Sequence, residues 1–141
     1  MGRKPQRVLA IDTDAAFLTA VRRVVESQSC LVDCARSAAE AQAYIACHHY
    51  DLVLSDLAVP EMDAATLCER LAQAVIAGTR ILFLASEPPS AETRAYLEER
   101  HLSYLDKPVH LRRFLDKLDD LLLGGYEEAA EEPQVEETKE E

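Results

Sequence analysis

Short apolar runs alternate with stretches of helical periodicity along this chain, and that alternation constrains the fold more than any other feature. The runs are Val8-Leu9-Ala10-Ile11, Leu31-Val32, Leu52-Val53-Leu54, Ile81-Leu82-Phe83-Leu84-Ala85 and the shorter segment from Ser103 to Asp106. Between them, apolar residues recur at near-3.6 spacing: Phe17, Leu18, Val21, Val24 and Val25; Ala41, Tyr44 and Ile45; Leu67, Leu71 and Val75; then Ala95, Tyr96 and Leu97 on a more charged stretch. A last stripe, Leu111, Phe114, Leu115, Leu118, Leu121 and Leu122, follows the fifth run. Asp14, Ser37, Asp63 and Ser90 stand where helices need N-caps, while Gly78 and the pair Gly124-Gly125 stand where helices stop. Strands alternating with helices predict an α/β fold, a doubly wound five-stranded parallel sheet with five helices and right-handed crossovers.

With 141 residues, the chain suits one domain with a proper core. We expect an N-terminal extension over residues 1–6, the folded domain over 7–124 and an acidic tail over 125–141. The formal charge is −11, and the eight Glu and one Lys after Gly125 hold −7 of it. That tail has Val135 as its one large aliphatic and cannot bury enough surface to fold by itself. No basic stripe with interleaved aromatics is present, so a nucleic-acid partner is not expected. No apolar run reaches the roughly 20 residues that span a bilayer, and the basic start leads into no signal-type core, so we expect a cytoplasmic protein without membrane insertion.

The cysteines, Cys30, Cys34, Cys47 and Cys68, have no metal-type spacing and are expected to be reduced and mostly buried. Cys30 and Cys34 would share one face of a strand, too far apart to bridge. His48 and His49 fall at a helix end, where solvation or the helix dipole accounts for them.

The stretch Asp51-Leu52-Val53-Leu54-Ser55-Asp56 carries the first functional signal: a buried strand that delivers a carboxylate to its C-terminal end. By itself it reads equally well as a site or as a strand end in water. In a doubly wound sheet, the ends of the first and third strands lie side by side at a topological switch point. This geometry brings together Asp12, Asp56 and, from the fifth strand, Lys107. Two carboxylates suit Mg²⁺, an Asp can attack phosphorus, and a cation with a lysine would neutralise a transferring phosphoryl group. The competing reading is a solvated acidic rim with Lys107 as counter-ion. A Gly-rich phosphate cradle is excluded, because the glycines are Gly2, Gly78, Gly124 and Gly125 alone.

The segments RVLAIDTD, DLVLSDLAVPEMD, ILFLAS and YLDKP, at their observed spacings, give the chain from about Arg7 to Leu123 a resemblance to the receiver domain of two-component response regulators, a flavodoxin-like fold. The resemblance implies that Asp56 accepts a phosphoryl group from a histidine kinase or phosphorelay partner. It further implies that Lys107 contacts that group, that Asp12 belongs to the acidic pair holding Mg²⁺ with Asp56, and that Tyr104 is the switch aromatic. Pro60 matches the usual loop proline.

Two of the five usual site positions depart from the pattern, and Ala64 in place of a common Gly after Asp63 is a minor further change. Thr13 stands at the second acidic position and is a weak or absent metal ligand, so Mg²⁺ affinity is expected to fall. Ala85 stands where a Thr or Ser hydroxyl is usual; Ser86, one residue on, could substitute only by a shift that reverses its direction. Three functions therefore stand: a phosphoacceptor signalling domain, a phosphorylation-independent docking module, and a small haloacid-dehalogenase-like phosphohydrolase built on Asp12-Thr13-Asp14. Any phosphotransfer in the first is onto Asp56 itself, so an enzyme is not expected. As a stand-alone receiver the chain is expected to act on a downstream protein target through its surface. The resemblance offers the fourth helix, fifth strand and fifth helix as a homodimer face.

Overall fold

The computed structural model describes residues 5–59, 62, 64–74 and 78–128. The strands are β1 (Arg7–Ile11), β2 (Leu31–Ala35), β3 (Leu52–Asp56), β4 (Arg80–Ala85) and β5 (Ser103–Asp106). They alternate with the helices α1 (Ala15–Glu26), α2 (Ala38–Cys47), α3 (Ala64–Ala74), α4 (Ala91–Glu99) and α5 (Leu111–Glu128). All strand pairs are parallel and the sheet order is β2-β1-β3-β4-β5. The chain thus winds outward from β1 in one direction to β2, then crosses to β3 on the other side. The expected doubly wound sheet is the observed one, and its switch point lies between the C-terminal ends of β1 and β3.

The unbroken apolar runs follow from burial on both faces. Leu9, Ile11, Val53 and Phe83 point into one cluster with Ala41 and Ile45 of α2, Leu67 and Leu71 of α3, and Leu97 of α4. The alternate residues Val8, Ala10, Leu52, Leu54 and Leu82 are equally buried. On that second face α1 lies along β1 and β2, burying Leu18, Val21 and Val25.

Local chemistry sets the helix starts. The Asp14 carboxylate accepts the N–H groups of Ala16 and Phe17 at the start of α1. Ser37 accepts the Glu40 N–H at α2, and the Glu40 carboxylate reaches back to the Arg36 N–H at 2.6 Å. Ser90 accepts the Thr93 N–H at α4. Gly78 has φ +106°, a left-handed conformation that explains its choice before β4. The expected cap at Asp63, the loop Pro60 and Val75 of the third stripe lie outside the described residues.

Three expectations need correction. Helix α5 does not stop at Gly124-Gly125 but runs to Glu128; glycine in a helix costs only about 1 kcal/mol relative to alanine and does not forbid continuation. The four cysteines are unpaired, but only Cys30 and Cys68 are buried, Cys34 being half-buried and Cys47 exposed. Cys47 ends α2 on its solvent side, and Cys30 precedes β2 instead of sharing a strand face with Cys34. The chain divides into two compact units at Val109/His110, the second of which holds α5. Among the described residues no helix is long and apolar enough to cross a membrane.

Candidate functional site at the C-terminal edge of the sheet

The three candidate side chains occupy the positions at or immediately beyond strand ends. Asp56 is the last residue of β3, Asp12 follows β1 and Lys107 follows β5. Ladder hydrogen bonds extend one residue past the strands and fix their backbones. The Asp12 N–H donates to the Ala35 carbonyl at 3.1 Å, and the Lys107 N–H donates to the Ala85 carbonyl at 2.8 Å. Beyond Asp56, the Leu57 N–H donates to the Leu84 carbonyl at 2.8 Å. Sheet geometry therefore places the site without help from flexible loops.

Lys107 sits between the two acids. Its Nζ lies 2.6 Å from Oδ2 of Asp12 and 3.6 Å from Oδ2 of Asp56. Asp12 is 3% exposed, Asp56 7%, and the Lys107 side chain 14%. The remaining carboxylate oxygens take backbone donors: Oδ1 of Asp12 accepts the Asp14 N–H at 2.9 Å, and Oδ1 of Asp56 accepts the Ala58 N–H at 3.2 Å. Burial is the main influence on Asp56 and pushes its carboxyl above the ordinary value of 3.8. The Ala58 N–H opposes that push, the neighbouring Asp12 charge adds to it, and Lys107 opposes it. One ammonium against two buried carboxylates leaves a net negative site, a receptive setting for a further cation.

The other candidates are placed as follows. Thr13 is exposed in the turn after Asp12, and its carbonyl accepts a hydrogen bond from Nη2 of Arg36 at 2.9 Å. Asp14 is committed to capping α1 through Oδ1. Ala85 is buried as the last residue of β4, in register with Asp106 of β5. Ser86 is exposed just beyond it, on the rim of a groove of about 420 Å³ that Leu57, Ala58, Val59, Met62 and Ala85 also line. Tyr104 pairs with Phe83, is half-buried and lies against the apolar cluster.

The sequence reading placed Phe17 in the apolar stripe of α1 and missed its part in this edge. The Lys107 ammonium lies over the Phe17 ring, 4.2 Å from its centroid. Four residues are thereby joined in a closed circuit. Asp12 accepts from the Asp14 N–H, Asp14 accepts from the Phe17 N–H at 3.2 Å, Phe17 faces Lys107, and Lys107 returns to Asp12. Its one sequence signal is that Phe17 stands three residues past the capping Asp14.

Among the described residues no group of three or more His, Cys, Asp or Glu gathers as a metal cluster. Mg²⁺ does not require one: it is commonly held by one or two carboxylates, with waters and phosphate oxygens completing the shell. The net negative pair Asp12 and Asp56 fits that pattern, and Thr13 adds no carboxylate to it.

Comparison with known proteins agrees with this fold. The model of the response regulator receiver domain matches residues 8–119. The transcriptional regulatory protein GlrR of Escherichia coli K12 is 30% identical over 122 residues, covering 86% of this chain and 27% of that protein. The response regulator MprA of Mycobacterium sp. strain KMS is 30% identical over 118 residues, covering 84% of this chain and 51% of its own length. The chain thus spans between about a quarter and a half of these relatives. Among solved structures, a CheY-like receiver domain protein from Methanospirillum hungatei JF-1 superposes with TM-score 0.80 at 25% identity, covering 89% of this chain and 99% of that one. The signal receiver domain of an HD domain-containing protein from Pseudomonas fluorescens Pf-5 superposes with TM-score 0.78 at 24% identity, covering 92% and 95% of the two chains, and shares the fold.

Proposed function

Because the chain belongs to the response regulator receiver family, we propose that it is a phosphoacceptor module in which Asp56 takes a phosphoryl group from a histidine kinase or phosphotransfer protein. The observation that carries this reading is the Lys107 ammonium held 2.6 Å from Asp12 and 3.6 Å from Asp56. A carboxylate oxygen of Asp56 forms the new P–O bond while the P–N bond to the donor histidine breaks, and the imidazole leaves with the electron pair. Lys107 stands beside Oδ2 of Asp56, where it can bond an oxygen of the incoming group. The Ala58 N–H holds the other oxygen and fixes the carboxylate's orientation. Mg²⁺, when bound by Asp12 and Asp56, would supply further neutralisation of the phosphoryl charge.

The test is incubation with acetyl phosphate and Mg²⁺ followed by intact mass measurement. Wild type is expected to gain one phosphoryl group and Asp56→Asn none. No addition to wild type, or equal addition to Asp56→Asn, would overturn the proposal.

A second reading rests on Ala85, which presents a buried methyl group where the resemblance places a hydroxyl. A ligand shifts a conformational equilibrium only through contacts that differ between states, and a methyl group offers no hydrogen bond to a phosphoryl oxygen. On that reading the domain docks its protein partner regardless of phosphorylation. Equal partner affinity for wild type, with and without acetyl phosphate, and for Asp56→Asn would favour it.

A further inference from the structure

Three N–H bonds of the Lys107 ammonium must find partners where its side chain is only 14% exposed. Asp12 takes one at 2.6 Å, and Asp56 lies near another at 3.6 Å. With the side chain this little exposed, a further near neighbour of the head group is the face of Phe17 at 4.2 Å. An aromatic face attracts a cation through its quadrupole, and the attraction grows where water is excluded. A leucine would fill part of the space without holding the charge.

The backbone that carries the ring is anchored to the acid pair. The Phe17 N–H is tied to the Asp14 cap, and Asp14 is tied through its own N–H to Asp12. The start of α1, which carries the ring, therefore keeps its register with the carboxylate that pairs with the same ammonium. We propose that Phe17 is a positioning residue for Lys107: its ring takes the place of solvent at the ammonium and holds Nζ at the edge of the acid pair, between Asp12 and the acceptor. This role rests on the proposed phosphoacceptor function. When the phosphoryl group arrives at Asp56, the ammonium then needs only a short displacement instead of recruitment from water. The saving is one of orientation, so it acts on the rate of phosphorylation.

The test uses the full chain labelled with ¹³C at lysine Cε, in wild type, Phe17→Leu and Phe17→Tyr, with Lys107→Met to assign the signal. In wild type the Lys107 ε-methylene protons are expected upfield of the other lysines, because the ring current shields groups above the ring face. Phe17→Leu is expected to collapse that shift and Phe17→Tyr to keep it. In the acetyl phosphate assay, Phe17→Leu is expected to be phosphorylated about three- to tenfold more slowly, the range a single cation–aromatic contact supports, with Phe17→Tyr near wild type. If Phe17→Leu does not fold, Phe17→Met serves the same comparison. A Lys107 signal that is unshifted in wild type, or unmoved in Phe17→Leu, overturns the proposal, as do equal rates for the Leu and Tyr variants. Should wild type take up no phosphoryl group, the functional reading fails, while the lysine spectra still decide whether Phe17 holds Lys107.

Discussion

Replacing Lys107 with methionine removes the ammonium that lies between Asp12 and Asp56 while keeping most of the side-chain volume. At an effective dielectric constant of about 20, an ion pair at the 2.6 Å separation from Asp12 is worth about 6 kcal/mol, and one at 3.6 Å from Asp56 about 5 kcal/mol. Stripping water from three charged groups offsets much of that sum, so the intact trio adds little net stability. Breaking it is another matter, because two buried carboxylates are left facing each other; such losses run to about 3–5 kcal/mol. Lys107→Met should therefore lose roughly 3–5 kcal/mol at pH 7, moving the urea midpoint down by about 2 M for a typical denaturant slope.

The loss should depend on pH in a defined direction. Asp56 already binds its proton more tightly in the fold than its ordinary value of 3.8, and without Lys107 it binds it more tightly still. A raised folded-state pKa favours the fold at low pH and loses that benefit as pH rises through it. The deficit of Lys107→Met is thus largest at neutral pH and narrows as the solution is acidified towards 3.8. Adding Asp12→Asn to Lys107→Met should recover a large part of the loss. Urea titrations of the four proteins of this cycle, at pH 7 and near pH 4.5, provide the measurement. An equal deficit at both pH values, or a double variant that is simply additive, would refute the charge argument and leave lost packing as the cause.

Asp56→Asn should be more stable than wild type at neutral pH by about 1 kcal/mol, since an amide carries no buried charge. Thermal melts should show that advantage shrinking as pH falls through the raised Asp56 value and vanishing below 3.8, where the wild-type carboxyl is neutral in both states. Gly78→Ala should cost about 1–2 kcal/mol from the left-handed backbone alone, because a Cβ there would meet nothing within 4 Å; Gly78→Asn should recover part of it in the same urea assay. Ala85→Ser should be phosphorylated at least about tenfold faster by acetyl phosphate if a hydroxyl at the end of β4 reaches the phosphoryl oxygens. An unchanged rate would show that a hydroxyl at this position does not act on the transfer.

Much of the site was legible because strand ends announce themselves. Val8 to Ile11 and Leu52 to Leu54 are apolar runs brought up against Asp12 and Asp56, and the parallel topology then places their ends together. Lys107 was readable from its position before Pro108 and after the fifth run. Phe17 was not readable as part of the site, because a helical period sorts residues by face and treats Phe17 and Leu18 alike. Which of them meets an ammonium from a strand some 90 residues later depends on the tilt of α1 over the sheet. The hydrogen bond from Arg36 to the Thr13 carbonyl was hidden for a related reason, since main-chain acceptors carry no residue signature. At Gly124-Gly125 the reading went astray because propensity alone favours a stop there, whereas the helix continues to Glu128. The cysteines were expected to be mostly buried from the average habit of their residue type, while the place of Cys47 at the end of α2 leaves it in solvent.

The circuit through Asp12, Asp14, Phe17 and Lys107 behaves as a closed linkage of four bars. In an open chain of contacts, cutting one link frees everything beyond it. In a closed one, cutting any single link leaves an open path that still runs through all four members, held at both ends by the sheet and by α1. Energies can then fall sharply on substitution while the backbone barely moves, even where the Lys107 head group turns. A variant structure that looks undisturbed at this edge would be poor evidence that the lost contact was unimportant.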